Sequence, residues 1–157
     1  MYELKKDEFN RVISLLNQGL DYPEVKGIVE SNNPGQIFVD NRESPQSAVV
    51  WSQGMEGFYF VGNPNNGVFL EELDDYFNEV LIPLVKGKGL NYVEYSTVSR
   101  EWDENLKKIF ANRDLKGGKQ LIFKWDSSKE IEEVRCDKDY QVIKVSRDVA
   151  ESDKYKN

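Results

Sequence analysis

A mixed α/β (α+β) fold, with an antiparallel strand meander leading into a parallel strand pair and about four flanking helices, is what this 157-residue sequence predicts. Two observations carry the expectation. Three short β-rich runs follow one another between residues 36 and 61, joined by links rich in Asn, Ser, Pro and Gly, as in an antiparallel meander. The next β-rich runs are each preceded by a helical repeat, and a helical crossover between neighbouring strands makes them parallel. With 39% hydrophobic residues and 19 aromatic ones, the chain can bury the core such a layered fold needs.

The elements follow in order. Phe9, Val12, Ile13 and Leu16 recur at helical spacing, and Gly19 stops the run, giving a helix over 7–18. Asp21 is placed to cap a second helix, with Pro23 in its first turn, Glu24 able to reach back, and Tyr22, Val25, Ile28 and Val29 on its buried stripe. Strands are expected at 36–40, 48–52 and 58–61. After a loop at 62–67, Phe69, Leu73, Phe77, Val80, Leu81 and Leu84 mark a long helix that Pro83 should kink or end. A strand over 92–95, a helix through Trp102, Leu106, Ile109 and Phe110, and a strand over 121–125 complete the main domain, 1–126. Residues 127–157 read as a polar linker or arm that holds one weakly alternating strand at 140–145 and frays after Ser146.

Composition excludes several kinds of chemistry. The chain has no histidine, which removes Ser-His and Cys-His nucleophile pairs and the commonest transition-metal ligand. Its single cysteine, Cys136, sits beside Arg135 and can form neither an intrachain disulfide nor a zinc site, so no metal is expected. A net charge of -7 argues against nucleic acid as partner. The N-terminus lacks an apolar signal region and no apolar run approaches a membrane span, so a cytoplasmic protein without membrane contact is expected.

The order helix, helix, three strands, helix, strand, helix, strand resembles the fold of the GNAT family of N-acetyltransferases, lacking only its first strand. Over roughly 1–125, the stretches Glu30-Ser-Asn-Asn-Pro-Gly35, Phe38-Val-Asp-Asn41, Ser47-Ala-Val-Val-Trp-Ser52, Gly57-Phe-Tyr-Phe-Val-Gly62 and Glu101-Trp-Asp103 resemble the N-terminal half of a two-part acetyltransferase of Gram-positive bacteria. The resemblance implies acetyl-CoA as cofactor and an amine as acyl acceptor. It also implies a C-terminal cofactor-binding GNAT domain, of which 140–145 would be the opening strand.

In that family the cofactor pyrophosphate lies on backbone N–H groups between a strand and the helix after it. The resemblance places Val61, Gly62, Asn63, Asn65, Asn66 and Gly67 there. The loop lacks the family's Gln/Arg-x-x-Gly-x-Gly/Ala spacing, and Pro64 lacks an N–H. From Glu43 to Val85 there is no Lys or Arg, while Glu71, Glu72, Asp74 and Asp75 follow the loop directly. Like charges at about 6 Å repel by roughly 3 kcal/mol at an effective dielectric near 20, so a weakened site is expected. Lys86-Gly-Lys-Gly89 mimics a phosphate loop but follows a helix, where carbonyls rather than amides are presented, and reads as a helix stop.

For catalysis the candidates are Glu94 and Tyr95, neighbours on one strand whose side chains must leave opposite faces. The tyrosine acid that the family carries near the following helix is replaced here by Lys108-Ile-Phe110-Ala. Trp51, Trp102 and Trp125 read as core. Two other classes of function stand beside acyl transfer: a non-catalytic module binding a ligand or protein in the strand wedge, and a homodimer built on a sheet edge.

Overall fold

The computed structural model describes residues 1–16, 22–97, 99–120, 126, 128, 138–140 and 143–152. The chain forms two compact units, Met1–Gly117 and Gly118–Asn157.

The first unit is built on a five-stranded sheet in the order β1 (Tyr2–Glu3), β2 (Gly35–Val39), β3 (Ser47–Ser52), β4 (Gly57–Gly62), β5 (Glu94–Thr97). Pairing is antiparallel from β1 to β4, and β4 and β5 are parallel, with Gly57 opposite Glu94 and Phe60 opposite Thr97. The meander and the parallel pair are those expected. β1 is not: its two residues carry no periodicity to read, and they become a strand because the edge of β2 offers Val39 and Phe38 as partners.

Both faces of the central strands are covered, so they read as near-continuous apolar runs rather than alternating ones. One face presents Phe38, Val49, Trp51, Phe58 and Phe60 to α3 (Gly67–Tyr76), α4 (Ile82–Gly87) and α5 (Arg100–Ile109). The other presents Ile37, Val39, Ala48, Val50 and Val61 to the 3-10 segment Lys6–Val12, α1 (Ile13–Leu16) and α2 (Pro23–Val29). Trp51 and Trp102 are core residues, as their positions suggested.

Several expectations are corrected. Pro83 does not end the long helix, which continues to Gly87. A π-helical turn, Phe77–Leu81, precedes it, and Ile82 N–H donates to the Phe77 carbonyl five residues back. One extra residue in the turn accommodates a ring that cannot donate and would otherwise crowd the carbonyl of Glu79. The strand expected at 92–95 forms instead at Glu94–Thr97, because the chain must turn through Gly89 (φ 82°) and two bends before it reaches β4. Helix α2 takes Tyr22 as its cap position with Pro23 behind it. Glu24 does not close a capping box: its carboxylate accepts from Ser52 Oγ (2.5 Å) and Asn33 Nδ2 (2.8 Å), tying α2 to the open end of the β2–β3 hairpin, where Gly35 pairs with Ser52. Lys86 to Gly89 is the helix end expected.

In the second unit Arg147–Glu151 forms a short helix α6, capped by Ser146 Oγ accepting from Val149 N–H, where frayed chain was expected. The described residues of 140–145 take no strand: Tyr140, Ile143 and Val145 are exposed, and alternation without a paired neighbour does not hold a strand. Gly19, Asp21, the expected strand 121–125 with Trp125, and Arg135 and Cys136 lie outside the described residues.

Candidate functional site

The parallel pair is the natural place to look, since ligands of open α/β sheets bind beyond the carboxyl ends of the strands. Among the described residues the parallel pairing runs as far as Phe60–Thr97, and Val61 and Gly62 lie opposite Ala48 and Ser47 of β3. Gly62 is left-handed (φ 88°) and packs its backbone against β3: a Cβ at this position would lie 2.2 Å from the Gln46 carbonyl oxygen. Asn63 N–H donates to that same oxygen at 2.8 Å.

From this point the loop is tied down by a polar knot. Asp40 Oδ1 accepts from the N–H groups of Gln46 and Ser47, and its Oδ2 accepts from Asn66 Nδ2 at 2.8 Å. Ser47, fully buried, donates through Oγ to the Asn63 carbonyl at 2.7 Å and accepts from Asn66 Nδ2 at 3.2 Å. Asn66 Oδ1 caps α3 by accepting from Phe69 N–H, and Asn63 Oδ1 accepts from Asn65 N–H. From the other side, α5 sends Asn105 Nδ2 to the Pro64 carbonyl at 2.8 Å and towards Asn65 Oδ1 at 3.5 Å. The candidate cofactor residues Val61, Gly62, Asn63, Asn65, Asn66 and Gly67 are therefore contiguous in space as well as in sequence.

Little of the loop's donor capacity faces outward. The N–H groups of Asn63, Asn65, Phe69 and Leu70 are used within the protein, and Pro64 has none. Those of Asn66, Gly67 and Val68 have no partner among the described residues. Three amides at the start of a ten-residue helix can hold one anionic group. They are not a cradle for a pyrophosphate with a further phosphate. The pyrophosphate of acetyl-CoA fits the residues present only in part.

The acidic run bears less heavily on the loop than its sequence position suggested. α3 starts at Gly67, so its first turn is uncharged and the acids begin a turn later. Glu72 pairs with the Met1 ammonium (2.6 Å) and Asp74 with Arg113, which leaves Glu71 and Asp75 exposed.

The two catalytic candidates are not brought together. Tyr95 turns into the α3–α5 layer, with its ring against Phe60 (5.8 Å) and Phe110 (6.2 Å). Burial first and Asp103 second push its hydroxyl above the ordinary phenol range, with Lys107 opposing, so it is a protonated donor at neutral pH. Lys107 is itself bound to Asp103 at 2.7 Å. Glu94 is exposed on the opposite face, where it helps raise the hydroxyl of Tyr59 behind the larger effects of burial and Glu24. It stands opposite Gly57, six positions before Asn63, or roughly 20 Å along an extended strand. Phe110, at the end of α5, is buried against Phe77 (4.8 Å) and lies under the Arg113 guanidinium.

Asp40, Ser47 and Asn105 escaped the sequence reading. The first two carry a faint signal, a short polar side chain at each end of a hairpin link. Asn105, on an amphipathic helix, carries none. An open cavity of about 610 Å³ lies at the other edge of the sheet, against β1, and is lined by Tyr2, Lys5, Lys6, Phe9, Gln36 and Arg42 among others. It gathers none of the candidate residues. Among the described residues no three His, Cys, Asp or Glu side chains are placed to hold a metal ion, and no helix is long and apolar enough to cross a membrane.

Because Asn66 joins the cap of α3 to the Asp40–Ser47 pair, Asn66→Ala should cost about 2 kcal/mol, the sum of a lost N-cap and one part-buried hydrogen bond. Urea unfolding of the variant beside the parent measures it.

A family model described as GNAT acetyltransferase matches residues 14–157. No curated protein matches the chain.

Proposed function

The chain belongs to the GNAT acetyltransferase family, and from that premise we propose that it keeps the frame for acyl-CoA-dependent N-acyl transfer but holds its cofactor loop closed on itself, so that it binds acetyl-CoA weakly. The observation that carries this reading is the use of the loop's donors: Asn63, Asn65 and Phe69 give their N–H groups to protein oxygens, and Pro64 has none to give. Anion binding at a strand-to-helix loop depends on those groups being free. The absence of Lys and Arg between Glu43 and Val85 leaves no side chain on β3, β4 or α3 to compensate.

Buried Phe110 supports the same reading, since no phenol stands at the end of α5 to return a proton to a leaving thiolate. Tyr95, raised in pKa but facing away from Glu94, is the remaining proton donor on the strand. On this reading the acceptor is a small amine, and the strong cofactor site belongs to a second GNAT domain. A binding module without catalysis is the alternative class, favoured by the Asn105 contact across the strand ends.

Isothermal titration of the full chain with acetyl-CoA tests the proposal. The expected result is a dissociation constant weaker than about 1 mM. A micromolar constant would overturn it.

A further inference from the structure

We infer that Asn105 is an autoinhibitory clasp: its carboxamide, donating from α5 to the Pro64 carbonyl, holds the loop of 63–66 shut over the ends of β4 and β5, and opening that contact admits a phosphate-bearing ligand. The inference rests on the reading of the loop given above.

Three observations carry it. First, the bond spans two separate stretches of chain. Pro64 follows β4 and Asn105 belongs to the helix after β5, forty-one residues away, so the contact ties the loop after one strand of the parallel pair to the helix after the other. Second, among the described residues Asn105 is the α5 side chain that hydrogen-bonds that loop, at the Pro64 carbonyl and, more weakly, at Asn65 Oδ1. The neighbouring turns of α5 instead use Arg100 on Glu104 and Lys107 on Asp103, pairs internal to the helix. Third, the contact lies next to the loop's unused donors. Asn65 and Pro64 precede the N–H groups of Asn66, Gly67 and Val68, which have no partner among the described residues, so a loop held at Pro64 is held where an anion would have to approach.

The geometry also explains why the clasp can open while α3 and the sheet stay intact. The knot of Asp40, Ser47 and Asn66 fixes the ends of the loop from the β2–β3 side and does not involve Asn105. Below the clasp, Trp102 packs on Phe60 (5.5 Å) and Phe69 (5.9 Å), which anchors the first turn of α5 in the core. Asn105 itself is only half-buried, so its removal empties no core volume.

The experiment compares the full chain with Asn105→Ala and Asn105→Asp by amide hydrogen exchange over residues 62–70 and by titration with acetyl-CoA, with circular dichroism to confirm folding. The alanine variant is expected to exchange about fivefold faster across 62–70, and to bind acetyl-CoA about fivefold more tightly than the parent, the equilibrium worth of one ordinary hydrogen bond. The aspartate variant should also exchange faster, because its carboxylate cannot donate to Pro64 and faces Asn65 Oδ1, but it should bind no more tightly because of its charge. Unchanged exchange in both folded variants would overturn the clasp. Faster exchange without tighter binding by the alanine variant would also overturn its inhibitory role. Tight binding by the parent chain is a different result: it removes the closed-loop reading itself and is seen before any variant is made.

Discussion

Gly62→Ala should destabilise the protein by roughly 3–5 kcal/mol and lower its melting temperature by about 10 °C or more. Two costs add. The residue is held at φ 88°, where a Cβ costs about 1–2 kcal/mol, and that Cβ would stand 2.2 Å from the Gln46 carbonyl oxygen. The obstacle is backbone, not a side chain that can swing aside. Relief requires β4 to part from β3 at the very point where Ser47 pairs with Gly62 and Asn63 N–H reaches Gln46. Gly67→Ala is the control: nothing lies within 4 Å of a Cβ there and its φ is ordinary, so the same chemical change at the other end of the loop should be close to neutral. Thermal unfolding of the two variants checks the contrast, and equal losses would remove the argument.

Trp102→Ala is expected to cost about 3–5 kcal/mol, a large part of the 5–15 kcal/mol that ordinarily holds a domain together. Its ring is fully buried between Phe60 of β4 and Phe69 of α3, and it is the residue through which α5 joins the core at the end of the parallel pair. Its indole N–H has no hydrogen-bond partner among the described residues, and such a buried donor itself costs about 1–3 kcal/mol. Trp102→Phe, which discards that donor and keeps most of the ring, should therefore lose only about 1 kcal/mol. Guanidinium unfolding of both variants reads the difference. A phenylalanine variant as unstable as the alanine one would mean that the indole nitrogen does have a partner.

The two variants probe different layers of what could be read in advance. Trp102 was legible as core because Leu106, Ile109 and Phe110 continue its helical stripe. Gly62 was legible as a loop residue, but neither its positive φ nor the carbonyl it packs against has any local trace. The same division runs through the site. The loop between β4 and α3 announced itself by six turn-forming residues in a row, Gly62 to Gly67. Whether its amides face a ligand or the protein depends on Asp40, Ser47 and Asn105, which lie 26, 19 and about 40 positions from their partners. The acidic run at 71–75 was visible as charge, yet two of its four acids, Glu72 and Asp74, are paired with Met1 and Arg113, two cations remote in sequence.

By itself the sequence determined the mixed sheet, the meander and its parallel successor, the helices marked by Phe69 to Leu84 and by Trp102 to Phe110, and the want of basic side chains around the loop. These follow from residue periodicity, turn chemistry and composition, which act over a few positions. Tertiary structure decided the two-residue strand β1, the passage of a helix through Pro83, the start of β5 at Glu94, and the closing of the loop by Asp40 after β2, Ser47 of β3 and Asn105 of α5. Each of those depends on which distant edge, carbonyl or ion lies within about 3 Å once the layers have packed, and hydrogen bonds form with whatever that packing brings near.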